Sequence, residues 1–132
     1  MNLKTIYLAD DDADDRYLIC EAIKQVDSRI DVVESENGSD LLICIQKENL
    51  PLPTLIVLDM NMPKMNGLET LRAIRSNPLH AHIPTVMIST SSDAKLIESA
   101  HYEGIDGFIT KPNSFEGFIL LARQLTNDYL KG

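Results

Sequence analysis

The chain has 132 residues, 44% of them hydrophobic and 24% charged, which points to one globular domain with its own core and excludes disorder, collagen and coiled coil. Twenty acidic against twelve basic residues leave a net charge of -8. That sign repels phosphate backbones and anionic membranes and argues against nucleic-acid or membrane binding, while leaving cations and basic protein faces as partners.

Residues 3–9 (LKTIYLA) read as a short buried strand ending in acids. From 13 to 26, apolar Leu18, Ile19, Ala22, Ile23 and Val26 fall on one helical face. Residues 30–35 form a second strand, and Asn37-Gly38-Ser39-Asp40 opens a helix expected to run to about Glu48. Two prolines make 50–53 a loop. Leu55-Ile56-Val57-Leu58, continuously apolar and followed by Asp59, reads as a central strand buried on both faces. Asn66-Gly67 could turn a hairpin, but Leu68, Leu71 and Ile74 recur at helical spacing and make 68–75 a helix. A fourth strand covers 85–89, a helix 93–103 with Gly104 just past its end, and a fifth strand 107–110. Ser114 then N-caps a last helix to near Leu130. Five strand–helix units imply an α/β fold: a doubly wound five-stranded parallel sheet with helices on both faces. There is no room for a second domain, so 1–132 is read as one unit.

Ligands of an open parallel sheet bind beyond the carboxyl ends of its strands. Those ends carry Asp10, Asp11 and Asp12 on the first strand, Asp59 on the third, Ser89 to Ser92 on the fourth, and Lys111-Pro112 on the fifth. Carboxylates packed side by side repel, and a hard divalent ion such as Mg²⁺ relieves this. Metal, hydroxyl and ammonium together suit a phosphoryl group, and in-line transfer onto a carboxylate is the chemistry that fits. GxGxxG, GxxxxGK[ST] and GxSxG loops are all missing. Asp12, Asp14 and Asp15 read as acids favouring a helix N-terminus, and Ser91, Ser92 or Asp93 as caps. His80, His82 and His101 read as solvated, and Cys20 and Cys44 as inert fillers with mild exposure. The opening MNLKTIYLADDD turns acidic too early for a secretory leader, and with two free thiols a reducing cytoplasm is the expected setting.

YLADD after the first strand, LIVLDMNMP, MNGLE, VMIS and GFITKP, in that order, resemble the receiver domain of two-component response regulators over essentially the whole chain. The resemblance implies a stand-alone, chemotaxis-type receiver with the flavodoxin-like strand order 2-1-3-4-5. It implies that Asp59 accepts a phosphoryl group from a phosphohistidine, on a sensor histidine kinase or a histidine phosphotransfer protein. Asp10 and Asp11 would hold Mg²⁺ with Asp59 and the backbone carbonyl of Asn61. Ser89 would be the switch hydroxyl, with Thr90 as competitor, and Lys111 would hold the phosphoryl oxygens, its bond to Pro112 being a candidate cis peptide. Phe108 takes the aromatic switch position, and Asn61 and Ser91 occupy positions that tune dephosphorylation. The face around the fourth helix and fifth strand, with Tyr102 and Phe108, would meet a downstream protein, as a monomer or a phosphorylation-linked homodimer. The stretch 77–84 resembles the subgroup that works with phytochrome-type kinases. No turnover of an external substrate is implied beyond slow autodephosphorylation. Two rivals remain: an aspartate-nucleophile phosphatase, whose second acid would stand at Asn61, and a receiver-like binding module that is never phosphorylated.

Overall fold

The computed structural model describes residues 4–131. Its elements run β1 Thr5–Ala9, α1 Ala13–Val26, β2 Asp31–Ser35, α2 Gly38–Ile45, β3 Leu55–Asp59, α3 Gly67–Ser76, β4 Thr85–Ser89, α4 Ala94–Tyr102, β5 Gly107–Thr110 and α5 Phe115–Tyr129. All strand pairs are parallel, and the sheet order is β2-β1-β3-β4-β5, the order expected. Every residue of β1, β3 and β4 is buried, as continuously apolar inner strands require.

Side chains alternate across the sheet with period two, and the two resulting sets feed two cores. Ile6, Leu8, Leu55, Val57, Val86 and Ile88 pack with Ile19, Ala22 and Ile23 of α1 and Phe118, Leu121 and Leu125 of α5. Tyr7, Ala9, Ile56, Leu58 and Met87 pack with Leu41 and Ile45 of α2, Leu71 and Ile74 of α3, and Ala100 of α4. Helices therefore cover both faces, as the alternating pattern predicts.

The helix starts follow the capping chemistry. Asp12 accepts hydrogen bonds from the Asp14 and Asp15 amides, Asn37 from Asp40, and Ser114 from Gly117. Asn66 and Glu69 form a reciprocal capping box at the start of α3, which disposes of the hairpin alternative. Gly104 has φ +91 and ends α4, with the Ile105 amide donating to the Ala100 carbonyl and the Gly104 amide to His101.

Five expectations need correction. The helix opened at Asn37 stops at Ile45, not near Glu48: the Gln46 and Lys47 amides bond three residues back, to Ile43 and Cys44, and this tighter winding ends the helix. The second strand starts at Asp31, because the Ile30 amide is taken by a turn to the Asp27 carbonyl. The first strand starts at Thr5, and Leu3 of the predicted run lies outside the described residues. His80 is buried, not solvated: its amide and that of Ala81 bond to the Asn77 carbonyl, a turn that carries the ring inward. No peptide bond among the described residues is cis, so Lys111–Pro112 is trans.

At the amino end of the sheet, Arg75 joins segments distant in sequence. Its guanidinium donates to the carbonyls of Gly104 (2.9 Å), Ala81 (3.2 Å) and Ile83 (2.9 Å), and to Asp106 Oδ2 (2.9 Å). Asp106 Oδ2 also accepts from the Thr85 amide at 2.8 Å, which pins the entry of β4.

Candidate functional site: an acidic cluster around a lysine

The alternation that builds the cores also builds the site. Continuing the set Ile6, Leu8 by two residues gives Asp10, and continuing Leu55, Val57 gives Asp59. Ile109 belongs to the same core, and two residues on stands Lys111. All three leave the strand ends on the face covered by α1. Asp10 is fully buried and Asp59 nearly so, while Asp11 is exposed. One carboxylate oxygen from each of Asp10, Asp11 and Asp59 lies within 4.8 Å of the others.

The Lys111 ammonium stands at the centre. Its Nζ donates to Asp10 Oδ2 at 2.9 Å, Asp15 Oδ2 at 2.9 Å and Asp59 Oδ2 at 3.3 Å. Its backbone is fixed by a 2.7 Å bond from its amide to the Ser89 carbonyl, which extends the β4–β5 ladder by one step. Burial pushes the Asp59 carboxyl up to about 7; the charge of Asp10 adds to this, and Lys111 opposes it. Burial alone would lower the Lys111 ammonium, but the bonds to Asp10 and Asp15 and the charges of Asp10 and Asp59 outweigh it and raise its pKa. A buried carboxylate pair held by one ammonium is thus short of positive charge. The donor set, all carboxylate oxygen and open to solvent at Asp11, fits a hard divalent ion.

Asp15 is the residue the sequence reading missed. Taken there as a first-turn acid, it is instead a direct partner of Lys111, 96 positions along the chain. The available signal was its place three residues into α1, where the first turn overhangs the strand ends. Asp12 is the cap it was expected to be, and Asp93 caps α4 through the Lys95 amide.

Ser89 is fully buried, and its Oγ accepts from the Ser91 amide at 3.1 Å, whereas Thr90 is exposed. Ser91 is exposed and its Oγ accepts from the Asp93 amide. The Asn61 amide donates to Asp59 Oδ1 at 3.4 Å, and the Asn61 side chain is exposed. Phe108 is half-buried and packs on the core facing α2, α3 and α4, opposite in alternation to Lys111. Tyr102 is 81% exposed on α4. Asp10, Asp11, Asp59 and Lys111 therefore come together; Phe108 and Tyr102 stand apart from them.

The loop after β3 returns sharply. Lys64 has φ 64, uncommon for a residue with a side chain, and the Met65 amide bonds the Pro63 carbonyl across it at 2.6 Å. The Gly67 amide then bonds the Met60 carbonyl. A Cβ on Gly67 would lie 2.8 Å from the Asp59 carbonyl oxygen and 2.9 Å from the Met60 Cα, both backbone atoms unable to swing away. Gly67→Ala is expected to destabilise the protein by about 2–3 kcal/mol through overpacking. Urea denaturation measures it, and a change below about 0.5 kcal/mol would show that the loop gives way freely.

Cys20 is half-buried against the α1 core, and burial, with the Glu34 carboxylate adding to it, pushes its thiol up to about 12. No helix among the described residues is long and apolar enough to cross a membrane.

Comparison with known proteins gives the same family from several directions. The chain is 26% identical over 132 residues to the response regulator Rcp1 of Synechocystis, covering 97% of this chain and 90% of Rcp1. It is 32% identical to the chemotaxis protein CheY1 of Helicobacter pylori over 103 residues, covering 75% of this chain and 81% of that one. Among solved structures, the phosphorylated cyanobacterial phytochrome response regulator RcpA superposes with a TM-score of 0.90 at 29% identity, over 98% of this chain and 96% of its own. The Mn²⁺-bound form of Rcp1 superposes with a TM-score of 0.85 at 26% identity, over 95% and 93%. The response regulator receiver domain family matches residues 6–122, and over that span, strand order and acidic cluster included, the chain belongs to it.

Proposed function

We propose that this chain is a phosphoacceptor response regulator acting as one receiver domain, with Asp59 as the acceptor. The observation that carries the reading is the Lys111 ammonium within 3.3 Å of Asp59 Oδ2, beside a three-carboxylate group that fits Mg²⁺. Asp10, Asp11, Asp59 and the Asn61 backbone carbonyl would hold the ion, which when bound neutralises charge on the phosphoryl oxygens. A deprotonated oxygen of Asp59 bonds to phosphorus, and the bond from phosphorus to the donor's imidazole nitrogen breaks, that nitrogen keeping the electron pair. Lys111 meets one phosphoryl oxygen as a fixed positive charge. Ser89 is the switch hydroxyl: it is the buried one, and trading its bond from the Ser91 amide for the phosphoryl group would pull on the loop before α4. Phe108 and Tyr102 form the responsive face for a downstream protein, in a monomer or a phosphorylation-linked homodimer. Asn61 and Ser91, exposed beside the site, shape access of the attacking water and hence phosphoryl lifetime.

The donor is the phosphohistidine of a sensor histidine kinase or phosphotransfer protein, and the likeness to RcpA supports a phytochrome-type kinase as its source. The setting is the cytoplasm, where such donors and free thiols coexist. A phosphatase acting on external substrates is disfavoured because Asn61 stands where a general acid is needed and an amide gives up no proton. A binding module without phosphorylation is disfavoured because the carboxylates and the lysine are all present and in contact.

Intact-mass measurement after acetyl phosphate treatment is expected to show one added phosphoryl group with Mg²⁺ and none with EDTA, and borohydride trapping should place it on Asp59. No gain despite bound Mg²⁺ would leave the unphosphorylated binding module, and steady release of phosphate from a generic monoester would favour the phosphatase.

A further inference from the structure

We propose that Asp15 is a positioning residue for Lys111, an inference that rests on the phosphoacceptor reading above. An ammonium has three N–H donors, and Lys111 directs them to Asp10, Asp15 and Asp59. Two of these acceptors, Asp10 and Asp59, belong to the carboxylate group suited to a divalent ion; Asp15 does not. When a cation draws Asp10 and Asp59 to itself, it competes for their oxygens and repels the ammonium as well. Asp15 is then the one carboxylate of the three still free to hold Nζ.

The geometry suits an anchor. Asp15 sits in the first turn of α1, its amide bonded to the Asp12 side chain at 3.2 Å, so its backbone is fixed. Its side chain is 26% exposed against 8% for Lys111, so the pair is screened from bulk water on the lysine side. Lys111 is held at its amide by Ser89 and at its tip by Asp15, which keeps two N–H groups at the site while Asp10 and Asp59 are engaged. Without Asp15 the lysine tip would either collapse onto the metal ligands or swing to solvent, and the phosphoryl group would lose its fixed cation.

The test uses the full chain, with Asp15→Ala and Asp15→Glu as variants and Asp14→Ala as control. Asp14 lies in the same helical turn, carries the same charge and is exposed. Two signals are followed: the Lys111 ammonium resonance in ¹⁵N-labelled protein with and without saturating Mg²⁺, and the rate of labelling by acetyl phosphate at saturating Mg²⁺. In the wild type the ammonium signal is expected to survive Mg²⁺. In Asp15→Ala it is expected to vanish on Mg²⁺ addition, with labelling slowed about tenfold. Asp15→Glu should restore most of both, and Asp14→Ala should stay within about twofold of wild type. A signal that persists with Mg²⁺ in Asp15→Ala, or equal slowing by Asp14→Ala and Asp15→Ala, would overturn the anchor while leaving the phosphoacceptor reading intact. Failure of wild-type Asp10 and Asp11 amides to shift with Mg²⁺ would instead remove that reading, and the anchor with it.

Discussion

Asp59→Asn should lose all labelling by acetyl phosphate and yet unfold at higher denaturant than the wild type when no metal is present. Loss of labelling follows if Asp59 is the acceptor proposed above. The gain in stability follows from burial: the Asp59 carboxyl is pushed up to about 7, so folding takes up a proton there. A carboxyl whose folded pKa is raised contributes stability that is full below its unfolded value and is lost as pH rises through the folded one. At pH 8 the charged Asp59 is therefore a burden in the metal-free fold, and the neutral amide relieves it by up to about 4 kcal/mol. Urea titrations at pH 5 and pH 8 should show the wild type losing stability toward high pH and Asp59→Asn losing much less. Equal slopes would mean that Lys111 already compensates the carboxylate fully. Labelling retained in Asp59→Asn, at another aspartate, would move the acceptor site.

Lys111→Ala should have the largest effect on the metal-free fold. It leaves the carboxylates of Asp10, Asp15 and Asp59 without their shared cation, two of them buried. Removing one partner of a buried ion pair costs about 3–5 kcal/mol, because the uncompensated charge stays behind. The loss should shrink as pH falls, since without Lys111 the Asp59 carboxyl rises further and protonates sooner. It should also shrink with Mg²⁺, because the variant, freed of the competing ammonium, binds the ion more tightly; a tenfold lower dissociation constant returns about 1.4 kcal/mol once the ion saturates both proteins. Thermal melts across a Mg²⁺ series measure both. A variant as stable as the wild type in EDTA would show that water, not the lysine, satisfies these carboxylates.

The fold was legible because each inner strand is an unbroken apolar run and each helix has a cap with a side-chain acceptor. The meeting of Asp10, Asp11, Asp59 and Lys111 was legible for the same reason, since residues at parallel strand ends must converge. What escaped was set by geometry between elements. Asp15 is an ordinary first-turn acid until α1 is laid over the strand ends. His80 lies in a polar stretch, and a turn at Asn77 decides its burial. The early end of α2 depends on a change of hydrogen-bond spacing at Gln46 that no residue type announces.

Arg75 also has a mechanical meaning. Its bond to the Gly104 carbonyl, with the Arg72–Glu103 ion pair at 2.9 Å, clamps the carboxyl end of α4 to α3. The other end of α4 follows an exposed run, Thr90 to Asp93, and the helix buries only Ala100. The helix is thus a lever with its fulcrum at Gly104 and its free arm beside Ser89. A displacement at the Ser89–Ser91 bond therefore acts on the free end, farthest from the fulcrum, where a given force turns the helix most easily, and the work of moving it is small because so little apolar surface must leave its place.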